Sequence, residues 1–162
     1  MSTKSKPRLS WQKKLADSKD LPKVVTITAK MSKRWGKEGD TCVIPAPKEV
    51  DEIIKKVPKG KLITINQIRE KLAKKHGATI GCPITTGIFA SIAARASEER
   101  MAEGKKEITP YWRTLKEGGV INEKYPGGIE GQKKLLEKEG HKVIQKGKKA
   151  VVFDFEKYLV RL

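Results

Sequence analysis

The stretch from Ile108 to Gly140 holds the residues most suited to a chemical role, and Pro110-Tyr111-Trp112-Arg113 stands near its start. A phenol has a pKa of about 10 in water and an indole offers no general base, so this pair is poorly suited to nucleophilic catalysis at neutral pH. A glycine pair follows at 118–119, and the segment from Gln132 carries two leucines before it ends at Gly140. The pattern predicts a buried aromatic turn, a glycine-rich wing or hairpin, and a short amphipathic helix that Gly140 caps.

The other residues that could do chemistry are two cysteines, Cys42 and Cys82, and two histidines, His76 and His141. The cysteines are far apart in the chain and have no histidine cluster beside them, so they indicate neither a disulfide framework nor a zinc site. A nucleophilic thiol needs a lowered pKa, and neither cysteine has a close histidine to supply one. We therefore expect no metal and no cofactor, and we interpret both thiols as buried or idle.

The charge is the clearest compositional signal. The chain has 36 Lys and Arg against 19 Asp and Glu, a formal net charge of +17. Such an excess favours a polyanionic partner, because binding phosphates releases condensed counterions. A merely soluble basic protein is the alternative. The aromatic share of 6% argues against a stacking platform for single strands.

The residues between 47 and 102 predict the elements that position the aromatic turn. An apolar face recurs in a helix that starts near Lys48. Thr64 can cap a second helix that Gly77 ends, and Pro83 can begin a third that runs to Arg100. Helix, glycine-containing turn and helix together are typical of a helix-turn-helix, although many helical hairpins share the pattern.

Both ends of the chain are basic extensions. Residues 1–46 predict a short helix around Trp11 and a strand at 24–28, followed by a basic loop in which Lys33 and Arg34 could contact phosphates. A solvated extension is the equally weighted alternative for this segment. Residues 142–162 predict a β-hairpin with a basic tip, which could pair with the N-terminal strand. Its candidate phosphate contacts are Lys146, Lys148 and Lys149.

The motifs in residues 47–141 closely resemble the O6-alkylguanine-DNA alkyltransferases. That family carries Pro-Cys-His-Arg, a glycine turn, and a helix that contains Leu-Leu-x-x-Glu-Gly. Pro110 and Arg113 match the first motif, and 135–140 match the last. The segment 58–68 is similar to the start of the family's helix-turn-helix.

Four departures separate this chain from the enzymes of that family. The acceptor cysteine is replaced by Tyr111 and its histidine by Trp112. The tyrosine that helps to rotate the nucleotide falls at Ile65, and the intercalating arginine falls at Gly87. The chain is thus similar to the cysteine-less alkyltransferase-like proteins, and the resemblance implies that it is not an enzyme.

The resemblance also implies a site. The third helix would lie in the minor groove of double-stranded DNA, which its small residues would approach closely. Read from the residues alone, the same small side chains could instead pack against a neighbouring helix. One face could do each, with Ile88, Phe89 and Ile92 turned to the core. The implied DNA contacts are Thr64, Ile65, Asn66, Thr85, Thr86, Gly87, Ala90, Ser91 and Arg95. The implied base pocket is formed by Pro110, Tyr111, Trp112 and Arg113. In that pocket the two rings could contact a flipped alkylated base, or they could simply fill the space.

The sequence therefore predicts a mainly α protein, α+β overall, with a winged helix-turn-helix at 47–141 and basic extensions at 1–46 and 142–162. The expected function is non-enzymatic double-stranded DNA binding, with sensing of alkylated bases in DNA repair. The alternatives are a general or architectural DNA or RNA binder, and an alkyl acceptor at Cys82. We expect a cytoplasmic monomer that could meet other repair proteins, without a membrane segment, because no run of about 18 apolar residues occurs.

Overall fold

Helices and short strands alternate along the chain, which a computed structural model describes for residues 10–32 and 36–161. The helices are α1 Trp11–Ala16, α2 Pro47–Lys55, α3 Ile65–His76, α4 Pro83–Ala102, α5 Gly128–Lys138 and α6 Phe155–Tyr158. The strands are β1 Lys23–Thr26, β2 Thr41–Ile44, β3 Ile63–Thr64, β4 Ile80–Gly81, β5 Thr114–Leu115, β6 Val143–Lys146 and β7 Lys149–Val152. This mixture confirms the predicted class, mainly α within an α+β whole.

The ends of α3 lie where the sequence predicts them. The Thr64 hydroxyl accepts the N–H of Gln67 at 3.2 Å, and the Gln67 side chain accepts the N–H of Thr64 at 3.1 Å. This reciprocal capping box satisfies two N–H groups that the first helical turn leaves without partners. At the other end Gly77 adopts φ +64°, a left-handed conformation that favours glycine and stops the helix.

Two of these helices form the helix-turn-helix pair, α3 and α4, with β4 in the turn between them. Pro83 begins α4, as predicted, and the helix ends at Ala102 rather than at Arg100. The predicted apolar face of α2 is also confirmed, since Val50, Ile54 and Val57 are buried and pack with Ile68 and other residues of α3. The helix-turn-helix therefore rests on α2.

The N-terminal segment packs onto the helix-turn-helix. Strand β1 pairs antiparallel with β2, and β2 pairs parallel with β4, so the turn of the helix-turn-helix is the third strand of this sheet. Helix α1 lies against α4, and its Leu15 is buried with Ala93 and Ala96. The basic loop residues Lys33 and Arg34 lie outside the described residues.

The C-terminal hairpin β6–β7 does not pair with the N-terminal strand, so that expectation is wrong. It extends the wing instead: Val120 pairs with Val151, and the N–H of Ile121 donates to the carbonyl of Ala150 at 2.9 Å. The wing itself closes between Lys116 and Val120. Wing and hairpin together therefore form one edge of the protein.

No helix in the described part of the chain is long and apolar enough to cross a membrane. 

His141 joins this hairpin to the end of α5 and gives a prediction about pH. The imidazole is buried, its ring meets Tyr158 edge-on at 4.9 Å, and neither ring nitrogen has a hydrogen-bond partner among the described residues. Burial lowers the pKa of His141, and the Arg113 guanidinium nearby lowers it further against the opposing effect of Glu139. Below the unfolded-state pKa of about 6.5, the unfolded chain therefore takes up a proton that the folded chain resists.

We expect the stability that neutral His141 contributes to be complete above that pKa and to be lost as the pH falls below it. His141→Phe keeps the edge-on contact and cannot be protonated, so it should lose less stability than the wild type between pH 7.5 and pH 5. Denaturant unfolding at both pH values measures the difference. His76 is present in both proteins, so any contribution it makes cancels in the comparison. Equal losses of stability in the wild type and the variant would contradict the prediction.

Candidate nucleic-acid interface

Tyr111 and Trp112 lie in a 3₁₀ turn, Tyr111–Arg113, that packs against α4 and α5. Tyr111 is 1% exposed, and its hydroxyl donates to Oε1 of Glu98 at 2.7 Å. Its ring meets Trp112 and Tyr125 edge-on, with centroids 5.4 Å and 5.7 Å away. Pro110, also buried, begins the turn. The two rings are therefore part of the hydrophobic core.

This packing has a consequence for the base pocket that the resemblance implies. A base could stack on Tyr111 only after the ring left its two aromatic neighbours and the hydroxyl left Glu98. Burial raises the pKa of Tyr111, and the Glu98 carboxylate raises it further, so the phenol stays neutral and is a poor nucleophile. Of the two interpretations of these rings, the geometry favours the one in which they fill the pocket.

Arg113 ties the aromatic turn to two other elements. Its Nε and Nη2 donate to the two carboxylate oxygens of Glu139 at 2.9 Å and 2.6 Å, and Nη1 donates to the carbonyl of Val57 at 2.6 Å. Burial alone would raise the pKa of Glu139, but the hydrogen bonds from Arg113 outweigh it and hold that pKa below its usual value. Arg113 therefore acts here as a structural clamp between the turn, α5 and the end of α2.

Gln132 is a second buried clamp, which sequence reasoning did not single out. Its side-chain oxygen accepts the N–H of Asn122 at 2.9 Å, and its nitrogen donates to the carbonyls of Trp112 and Thr114 at 3.0 Å and 3.1 Å. A polar residue beside the two leucines of α5 is a weak signal, because the same residue on an exposed face would look identical. Its role is to fix the wing relative to the turn.

The predicted DNA contacts on α4 divide between its two faces. Thr86 and Ala90 are fully buried, and the Thr86 hydroxyl donates to the carbonyl of Cys82 at 2.6 Å, so neither residue reaches a ligand in this conformation. Thr85, Gly87 and Ser91 are partly exposed, and Arg95 is exposed. Of the predicted contacts on α4, only these four lie where a duplex could reach them.

The prediction that Ile88 faces the core is wrong. Ile88 is 51% exposed and Ile84, one turn earlier, is 49% exposed, whereas Phe89 and Ile92 are partly buried. Helix α4 has apolar residues on nearly every side, so the spacing of its hydrophobic positions does not define an inner face. The outer face of α4 is therefore apolar as well as small.

The predicted contacts at the start of α3 take structural roles. Thr64 is buried in the capping box, and the Asn66 side chain accepts from Nη1 of Arg69 at 3.2 Å. Ile65, where the family has its tyrosine, is partly buried. Asn66 and Ile65 keep some exposure, so a contact with DNA stays a prediction for these two residues.

Helix α1 forms a wall beside the outer face of α4. The N–H groups of Trp11 and Gln12 donate to the Glu99 carboxylate at 2.9 Å and 3.0 Å. Burial alone would raise the pKa of Glu99, but these hydrogen bonds outweigh it and lower that pKa. Two cations lie over the Trp11 ring: Nζ of Lys14 is 4.1 Å from its centroid, and the guanidinium carbon of Arg95 is 5.2 Å from it. Glu99, in the charged C-terminal part of α4, thus helps to hold the N-terminal helix in place.

Between α1, α4 and the wing lies a groove of about 690 Å³, which we call the α4 groove. Its lining includes Trp11, Lys14, Ile84, Ile88, Arg95 and Lys124. Lys116 also lines it, and the same lysine lines a neighbouring cavity with Lys148 and Lys149 of the hairpin tip. A band of cations therefore runs from α1 across the wing to the hairpin. Glu117 and Glu123 also line its wing part, where Glu123 pairs with Lys116 at 3.0 Å. Lys146, the third predicted contact of the tip, is exposed but lines another cavity.

Both thiols are buried. Cys42 and Cys82 are 1% and 5% exposed and belong to one small apolar cluster with Ile27. Burial raises the pKa of the Cys42 thiol to about 11, with a further effect from Cys82. Such a thiol is a weak nucleophile at neutral pH. Among residues 10–32 and 36–161, no group of three or more His, Cys, Asp or Glu side chains could hold a metal ion.

Comparison with protein-family models finds no match, and no characterised protein sequence matches this chain significantly. Solved structures do match. One is S. pombe Atl1 in complex with damaged DNA that contains O6-carboxymethylguanine, at 19% identity and a TM-score of 0.52, over 72% of this chain and 94% of that one. Another is S. pombe ATL in complex with DNA, at 20% identity and a TM-score of 0.51, with the same coverage. The chain thus has the fold of the alkyltransferase-like proteins, as its sequence motifs predict.

Proposed function

We propose that this chain is a non-enzymatic protein that binds double-stranded DNA through the α4 groove and acts in DNA repair. The observation that carries the proposal is the band of cations around an exposed face of α4, the second helix of a helix-turn-helix. Lys14, Arg95, Lys124, Lys148 and Lys149 form no ion pair within the described ranges, so their charges are available to phosphates. The fold shared with two structures solved on DNA, S. pombe Atl1 and S. pombe ATL, supports the same conclusion.

The absence of alkyl transfer follows from the chemistry of the site. The residue in the acceptor position is a buried neutral phenol, Tyr111, whose hydroxyl already donates to Glu98. Cys82, the alternative acceptor, is buried in an apolar cluster with Ile27 and Cys42. Incubation with a duplex that carries O6-methylguanine, followed by mass spectrometry of the intact protein, should therefore give no alkyl adduct. An adduct on Cys82 would contradict the proposal.

A second candidate function is recognition of an alkylated base, and the fold shared with Atl1 on O6-carboxymethylguanine DNA is what favours it. Fluorescence polarisation with paired duplexes, one with O6-methylguanine and one with guanine, separates the two functions. Equal affinities that fall steeply with salt support general duplex binding, whereas a clear preference for the lesion means that the core around Tyr111 opens to admit a base. No binding to either duplex at moderate salt would remove the DNA proposal itself. Competition with a structured RNA tests the RNA alternative in the same assay.

The location of the interface gives a prediction about charge. Each phosphate contact contributes a slope of about −0.9 to the dependence of log K on log salt. The double variant Lys148→Ala/Lys149→Ala should therefore bind duplex more weakly and lower the magnitude of that slope by about 1 to 2. Salt titrations of duplex affinity provide the measurement.

The matched control removes two lysines from a separate cleft near the end of α2. Lys56 and Lys61 line that cleft and are exposed. Lys56→Ala/Lys61→Ala should leave the salt slope close to that of the wild type. If both double variants changed the salt slope equally, duplex affinity would depend on the total charge of the protein, and the proposed interface would be contradicted.

A further inference from the structure

Two large aliphatic side chains, Ile84 and Ile88, project from the same face of α4. They are four residues apart, so they lie one helical turn from each other, and about half of each is exposed: 49% and 51%. Between them Gly87 leaves open space, since no heavy atom lies within 4 Å of a Cβ placed on it. An exposed apolar pair that lines a groove favours a contact surface over scattered surface hydrophobicity.

The surroundings of this pair identify the kind of ligand that fits. Lys14 of α1, Arg95 of α4, and Lys116 and Lys124 of the wing line the α4 groove. No carboxylate of the described residues is among its lining side chains, although Lys116 pairs with Glu123 at 3.0 Å. An apolar strip with cations on both sides complements the minor groove of a duplex, where sugars and base edges lie between two rows of phosphates. An acidic or apolar protein segment would match only one of these two features.

Helix α1 holds the strip and the cations in fixed positions. The Glu99 carboxylate binds the first turn of α1, and the Gln12 side chain also donates to Glu103 at 3.2 Å. The guanidinium of Arg95 reaches across to the wing and donates to the carbonyl of Lys124 at 3.3 Å. Both walls of the groove are therefore tied to α4 by hydrogen bonds.

We infer that Ile84 and Ile88 form an apolar wedge that enters between base steps of the minor groove and kinks the duplex. Proteins that bind the minor groove use Ile, Leu, Phe or Met side chains in this way and bend DNA by about 20–90°. The wedge takes the place that an intercalating arginine would have at Gly87, and it needs no base pocket. This inference rests on the proposed function, because it requires that α4 faces the duplex.

The test is the end-to-end distance of a short duplex labelled with a donor and an acceptor dye, measured by energy transfer at saturating protein. The wild type should shorten that distance. Ile84→Ala/Ile88→Ala should bind with about tenfold lower affinity, the change that 1.4 kcal/mol produces, and should leave the duplex straight when saturated. Both side chains are half exposed, so the melting temperature of the double variant should stay near that of the wild type.

Met101→Ala is the matched control, since Met101 is 43% exposed on the same helix but outside the α4 groove. It should bend the duplex as the wild type does. A double variant that still bends the duplex fully would overturn the wedge, and so would a wild type that binds without bending; both results leave duplex binding itself intact. If the wild type did not bind duplex at all, the proposed function itself would be contradicted, and the wedge with it.

Discussion

Arg113→Ala is expected to lower the free energy of unfolding by about 3–5 kcal/mol, the usual cost of removing one partner of a buried ion pair. The side chains of Arg113 and Glu139 are 12% and 7% exposed, so the carboxylate that remains cannot be solvated where it lies. The carbonyl of Val57 loses its donor as well. Urea unfolding monitored by tryptophan fluorescence and circular dichroism measures the change.

Two further variants test this explanation. Lys116→Ala breaks an ion pair with Glu123 whose partners are 41% and 53% exposed, and it should change stability little. Glu139→Gln in the Arg113→Ala background removes the stranded charge and should restore part of the lost stability. If Arg113→Ala were no more destabilising than Lys116→Ala, the clamp would not hold the turn against α5.

Local signals predicted the helix-turn-helix well. Thr64, Gly77 and Pro83 act within one or two turns of their own helix, and the residues that satisfy their backbone groups are close in sequence. The same holds for the apolar face of α2, because a helix with one buried side has apolar residues at three- and four-residue intervals. Local sequence is therefore sufficient to predict these features.

The candidate site was less predictable because its contacts are distant in sequence. Glu98 meets Tyr111, and Glu99 meets the first turn of α1, although both glutamates look like parts of a charged surface segment. The hairpin pairs with the wing and not with the N-terminal strand. Tertiary packing determines which of these two strands the hairpin extends, and local sequence does not record that choice. Ile88 differs from its prediction because α4 has apolar residues on nearly every side, so their spacing does not show which of them is exposed.

Gly81→Ala is expected to be the second strongly destabilising change, with a loss of about 3 kcal/mol, at the upper end of what overpacking costs. Strand β4 crosses α3 so closely that a Cβ on Gly81 would lie 2.6 Å from the carbonyl oxygen of Arg69. The three nearest atoms are the carbonyl oxygen, Cα and carbonyl carbon of Arg69, all backbone, so none can rotate away as a side chain could. The helix and the strand must separate, which also breaks the 2.8 Å bond from Nε of Arg69 to the Gly81 carbonyl.

Gly87→Ala is the matched control, because it adds the same methyl group to a glycine of the same helix-turn-helix with open space around it. Glycine within a helix destabilises it by about 0.5–1 kcal/mol relative to alanine, so this variant should gain stability. A decrease in the free energy of unfolding for Gly81→Ala and an increase for Gly87→Ala would locate the close contact at the crossing of β4 and α3. A Gly81→Ala protein as stable as the wild type would mean that the turn can widen freely, and the orientation of α4 towards DNA would then not be fixed by this crossing.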